Sequence, residues 1–285
     1  CGYMIVFGML HLLKILLLKQ ILNSINSITY LKFYSMAQVI CVVPVAPVSA
    51  EGSHRGEMVS QILFGETALV LGETKDFYQI QMHQDGYEGW CQKLQLQLVA
   101  EGATISIKGY TANWINHAVL NGHPIQLPLG TPIVSYKHSD FDFSYTGEIL
   151  DAASNAYTPD ALENLAKQFL GSSYLWGGRS VFGIDCSGFV QMVFKLFNCM
   201  LPRDAYQQAE MGEAIGFLAE AKPGDLAFFD NEQGKITHVG ILLAPDLIIH
   251  ASAIVRIDPI DQAGIVSSST GLRTHQLRTI RRIAL

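Results

Sequence analysis

Three side chains toward the C-terminal end of this 285-residue chain are of the types that carry nucleophilic catalysis: Cys186, His238 and His250. Cys186 follows a Gly-rich stretch and opens an apolar run, Phe189, Val190, Val193, Phe194 and Phe197, whose spacing predicts a helix over 186–197. A sulfur at a helix start faces free backbone N–H groups and the positive end of the dipole. That setting favours the thiolate and can hold an oxyanion, so Cys186 is expected to react fastest with thiol reagents. A thiolate peptidase also needs a base, and the base needs a third group to fix its tautomer. The apolar runs 237–243 and 247–251 are joined by Ala244, Pro245 and Asp246. If Leu243 pairs with Leu247 in a hairpin, Gly240 faces His250 and His238 faces Ser252. Both imidazoles then share one sheet face as diagonal neighbours, with Val239, Ile241 and Ile249 on the other.

Taken singly, none of these residues is informative. A lone cysteine is usually a small buried hydrophobe, and a lone histidine is more often filler than catalyst. Two histidines on one face, with a helix-borne cysteine upstream, reverse that weighting. His54, His83, His117, His123, His138 and His275 share no such geometry and are assigned to surface or loops.

The elements that must hold this set follow from the apolar pattern. Short apolar runs divided by Gly, Asp and Asn (61–63, 68–71, 78–82, 89–91, then 105–107, 115–119 and 132–134) predict many short strands, hence small β-barrels of five strands each. The join falls near 99–103, giving barrels over 36–100 and 101–152. At Thr158 a capping residue followed by Pro159 opens an amphipathic run, Leu162, Leu165, Ala166 and Phe169, and a new domain begins over 153–285. Helices there precede strands at 226–229, 237–243, 247–251, 254–257 and 279–285, which reads as α+β.

Composition excludes several classes. An apolar share of 49% with 15% charged residues fits filled cores. A net charge of −6 gives no general attraction for phosphate backbones, so nucleic acid is not an expected partner. Arg278, Arg281 and Arg282 are read as a solvated strand face. The five cysteines show no C-x-x-C pair, and no His/Cys or acidic cluster at ligand spacing accompanies the site, so no metal, no cofactor and no disulfide framework are expected. Residues 1–35 hold an apolar run broken by Lys14 and Lys19, too short to span a bilayer comfortably. No stable membrane insertion is expected from it, and it stays unassigned. Location is read as cytoplasmic, or envelope-facing if 1–35 act as a signal.

Several separated motifs then stand in order: Tyr174-Leu-Trp-Gly-Gly178, Asp185-Cys-Ser-Gly-Phe189, Pro202-Arg-Asp204, Gly224-Asp-Leu226, Thr237-His-Val-Gly240 and Ile249-His-Ala251. Together they resemble the NlpC/p60 family, papain-like cysteine peptidases of bacterial cell walls, and the upstream barrels look like the bacterial SH3-like domains that accompany them. In layout the chain is most similar to γ-D-glutamyl-L-diamino acid endopeptidases that recycle muropeptides. The resemblance implies a papain-like domain behind two SH3-like barrels. It also implies cleavage of the γ-D-Glu–diamino acid bond in murein peptides with free N-terminal L-Ala, with Cys186 as nucleophile, His238 as base and His250 as orienter. Carried over position by position, Tyr174, Asp185, Ser187, Asp204 and Ala205 line the cleft, with Asp185 the partner of the alanine ammonium. Ala205 stands where relatives carry serine. Glu57 and Tyr87 of the first barrel resemble residues that close the cleft over the L-Ala end. Two rival readings are a peptidoglycan-binding scaffold without catalysis, and an amidase or acyltransferase on the same core.

Overall fold

A computed structural model describes residues 37–284; the apolar lead over 1–35 lies outside the described residues. Short alternating strands with turn residues between them build the N-terminal part, as the pattern requires. Strands β1 (Gln38–Cys41), β2 (Val45–Ser49), β3 (Met58–Leu63), β4 (Thr67–Glu73), β5 (Phe77–Met82), β6 (Glu88–Gln92) and β7 (Leu96–Leu98) form one sheet in the order β3-β2-β6-β5-β4-β1-β7. Val39, Ala46, Val48, Ile62, Ile80 and Cys91 fill its interior. The next strands, β8 (Ile105–Thr111), β9 (Ile115–Leu120), β10 (His123–Pro128), β11 (Pro132–Tyr136), β12 (Phe143–Tyr145) and β13 (Ile149–Leu150), make two three-stranded sheets, β10-β9-β12 and β11-β8-β13. Seven and six strands replace the five expected per unit, because short segments such as 38–41, 96–98 and 149–150 are too brief to register as apolar runs.

Helix α1 (Pro159–Lys167) starts where expected, its first turn capped by the Thr158 hydroxyl accepting the Ala161 N–H at 3.1 Å. The hairpin β14 (Arg179–Ser180) and β15 (Gly183–Ile184) leads into α2 (Cys186–Lys195), buried along its whole length, and α3 (Ala205–Gln208) follows. Strands β16 (Glu213–Ile215), β17 (Leu226–Asp230), β18 (Ile236–Ala244), β19 (Leu247–Ser252), β20 (Ile254–Asp261), β21 (Gly264–Val266) and β22 (Arg273–Arg282) form a sheet in the order β16-β22-β17-β18-β19-β20-β21, and β21 also pairs with β22. Helix α2 packs on one face of it, against Phe228, Val239, Ile241, Ile249 and Ala251. Ala227, Phe229, Leu242, Ile248 and Ile280 form a separate core.

Polar bonds tie the first barrel to this helix-and-sheet unit. Glu66 accepts from Arg179 at 2.9 and 3.2 Å and from Lys195 at 2.8 Å, all three being buried. Arg179 also donates from its backbone N–H to Gln61 at 2.7 Å, and Arg203 donates to Ser60 at 3.1 Å. Burial pushes the Glu66 carboxyl up, but Arg179 and Lys195 pull harder and hold it at about 2.

Candidate active site

Asp185 caps α2 and fixes Cys186 in its first turn. Its Oδ1 accepts the Gly188 N–H at 2.7 Å, its Oδ2 accepts the Gly177 N–H at 2.9 Å, and Arg203 grips both oxygens at 3.0 and 2.5 Å. A Cβ on Gly188 would stand 2.2 Å from the Gly178 carbonyl, so only glycine lets the 174–178 loop lie against the helix start. The Asp185 carboxylate is therefore saturated, and the ammonium role expected for it is corrected: it locks the helix end to Arg203. The Cys186 sulfur meets the backbone N–H groups of Ser187 and of Val239, the residue next to His238.

The hairpin behind it forms in the expected register at its centre, with Gly240 opposite His250; a bulge between Leu242 and Ala244 makes Leu247 pair with Ala244 instead of Leu243. A Cβ on Gly240 would lie 2.8 Å from the His250 Cβ, so glycine leaves room for that side chain. His238 Nε2 and His250 Nδ1 are 2.8 Å apart, and His250 Nε2 lies 3.0 Å from Asp258 Oδ2. Asp258 was not singled out from sequence. Burial raises its carboxyl, but Ser268, His250 and Arg256 outweigh that and hold it at about 2. An ionised Asp258 takes a proton donated by His250 Nε2, which leaves His250 Nδ1 an acceptor for the His238 Nε2–H. The Nδ1 of His238 is then a bare lone pair.

Burial acts against charge on both partners. Burial and the Asp185 carboxylate push the Cys186 thiol up to about 12, against the pull of the backbone N–H groups and Arg203. Burial thus opposes the thiolate that the helix end favours. His238 is held well below its ordinary value by burial, then by His275 and His250.

His275, expected in a loop or on the surface, lies on β22, which begins at Arg273, ahead of the apolar segment that marked it in the sequence. Its ring stacks on His238 with centroids 4.1 Å apart and planes at 25°. One ring nitrogen from each of His238, His250 and His275 lies within 4.8 Å of the others, a cluster the spacing along the chain did not reveal. Its geometry does not suit a metal ion. Stacked rings send their in-plane lone pairs side by side, and the 2.8 Å His238–His250 bond already uses the two nitrogens that face each other.

In front of the sulfur lies a cleft of about 420 Å³ whose walls include Val59, Tyr87, Tyr174, Trp176, Asp185, Cys186, Ser187, Arg203, Asp204, Ala205, Tyr206 and Lys235. Six of the expected wall residues, Tyr87, Tyr174, Asp185, Ser187, Asp204 and Ala205, are brought together there. Glu57 is not: it is exposed, and Val59 holds the wall in its place. Burial pushes the phenols of Tyr87 and Tyr174 up to about 12, so both stay hydrogen-bond donors at neutral pH. Asp204 is half-buried, its carboxyl raised by burial. A second cavity of about 310 Å³ is lined by Glu66, Tyr110 and Lys195, and the Glu66 and Lys195 charges are already paired.

A helix-borne thiol, an imidazole chain on a hairpin and an enclosing barrel wall define a cysteine-type hydrolase. The profile of the NlpC/P60 family matches residues 171–274, and that of the bacterial dipeptidyl-peptidase SH3 domain matches residues 49–96. The γ-D-glutamyl-L-lysine dipeptidyl-peptidase of Bacillus subtilis is 31% identical over 223 residues, covering 67% of this chain and 71% of that protein. The chain belongs to the NlpC/P60 family and carries an SH3 domain of the kind found in bacterial dipeptidyl-peptidases. The murein DD-endopeptidase MepS/murein LD-carboxypeptidase of Escherichia coli is 33% identical over 139 residues, covering 48% of this chain and 69% of that protein. Among solved structures, an NlpC/P60 family protein from Bacillus cereus superposes with a TM-score of 0.68 at 19% identity, covering 86% of this chain and 99% of that one; it shares the fold.

Proposed function

We propose that the protein hydrolyses the γ-D-glutamyl-L-diamino acid bond of murein peptides that begin with free L-Ala. The proton path that starts at His238 Nδ1 and runs through His250 to Asp258, beside a thiol at the cleft floor, carries this reading. As the sulfur attacks the γ-carbonyl, its proton passes to His238 Nδ1, and the oxyanion is held by N–H groups at the start of α2. His238 then gives that proton to the departing amine, leaving a γ-glutamyl thioester. Water, deprotonated by the same nitrogen, releases the acid. His250 and the Asp258 carboxylate stabilise the imidazolium that forms in both steps.

The free ammonium of L-Ala is matched by Asp204, with the Tyr87 and Tyr174 hydroxyls close by in the same walls. A half-buried carboxylate left without its cation costs about 1–3 kcal/mol, so wall peptides whose L-Ala is acylated are disfavoured. In this reading 101–152 is a second SH3-like barrel, 153–285 is papain-like, and the enzyme recycles released peptides in the cytoplasm. An intact proton path argues against a wall-binding scaffold. Defined peptides and mass spectrometry test the proposal: L-Ala-γ-D-Glu-diamino acid is cut and its N-acetyl derivative is not. Equal turnover of the two would refute the ammonium requirement.

A further inference from the structure

Four charged side chains line the cleft: Asp185, Arg203, Asp204 and Lys235. Asp185 and Arg203 neutralise each other in a buried pair. Asp204 and Lys235 remain, and among the described residues neither is in an ion pair. The cleft thus offers one anion and one cation to whatever enters it. Asp204 lies toward the barrel, where its charge bears on the Tyr87 phenol. Lys235 lines the same cleft, just ahead of Ile236, Thr237 and His238 in the chain.

Lys235 is exposed, but its backbone is fixed. Asn231 Oδ1 accepts the N–H groups of Gln233 at 3.1 Å and Lys235 at 3.0 Å, while the Asn231 N–H donates to the Lys235 carbonyl at 3.0 Å. An ordered turn therefore presents a flexible ammonium at the rim beside the reacting sulfur. A peptide joined through the γ-carboxyl of glutamate keeps a free α-carboxylate a short carbon chain from the scissile carbonyl. With the L-Ala ammonium at Asp204 and the γ-carbonyl at Cys186, Lys235 is the cleft's remaining cation for that α-carboxylate.

We infer that Lys235 reads the free α-carboxylate of the D-glutamyl residue, making the enzyme selective for the acid over its α-carboxamide. The inference rests on the peptidase reading above. A cation at this rim pairs with a carboxylate but gains far less from an amide, whose oxygen carries no net charge.

The test compares kcat/KM for L-Ala-γ-D-Glu-L-Lys, the same peptide with the D-glutamyl α-carboxyl amidated, and a third with only the lysine carboxyl amidated. The wild-type protein is expected to favour the α-acid over the α-amide by roughly 10- to 100-fold. Lys235→Gln should bring that ratio to within about threefold by losing rate on the acid alone, and Lys235→Arg should keep most of it. A Lys235→Gln variant that retains the wild-type preference overturns the inference. So does a dependence on residue 235 that follows the lysine carboxyl instead. A wild-type protein that cuts none of the three removes the peptidase reading itself, and the inference with it.

Discussion

The two ends of helix α2 hold opposite kinds of buried polar cluster. At its C-terminal end Lys195 joins Glu66 and Arg179 in an ionic knot in which the carboxylate takes three charge-assisted bonds. At its N-terminal end burial works against charge on both Cys186 and His238. Full satisfaction makes the first cluster a fastener for three parts of the chain. The second keeps one nitrogen without a donor, which is what a base requires. Burial alone does not separate structure from function; the unfilled lone pair does.

The largest effect that would sharpen this contrast is on turnover. Cys186→Ala should lose at least about 10⁴-fold in kcat, with the denaturation midpoint close to wild type; a variant with wild-type rate would end the proposed mechanism. Glu66→Ala should do the reverse. It strands two buried cations and is expected to cost about 3–5 kcal/mol of stability, read by chemical denaturation.

Acid separates the two ends next. The Glu66 carboxyl is depressed in the folded state to about 2 from an ordinary 4.5. Its contribution is present above the ordinary value and is lost as pH falls from about 4.5 to about 2, amounting to about 3 kcal/mol. Glu66→Gln should flatten that limb of the stability curve; an unchanged limb would assign acid lability elsewhere. The smallest effect is at His275. Removing its ring from the His238 stack should lower kcat/KM by about threefold to tenfold, and His275→Phe should restore most of it.

Legibility in the sequence followed the range of the interactions. The β18–β19 pairing was readable because a tight hairpin fixes which residues face each other, so His238 and His250 met as expected. Asp258 lies one strand further, on β20, and its place depends on the β19–β20 register. His275 arrives from β22, whose alternating Arg, Thr, His and Gln residues give no apolar signal; only pairing with β17 and β21 brings it under His238. Asp185 misled for a related reason. Its motif neighbours suggested ligand binding, but the arginine that saturates it is contributed from position 203, and no local pattern announces that fork. The N-terminal half was recognisable as β from turn spacing, whereas the strand count depended on segments of two to four residues.

Burial that discourages charge on the Cys186 sulfur also bears on accidental chemistry. Peroxide and electrophiles attack thiolates, so burial of Cys186 works against both. Among the described residues Cys199 is the one cysteine that is only partly buried, and burial raises its thiol as well.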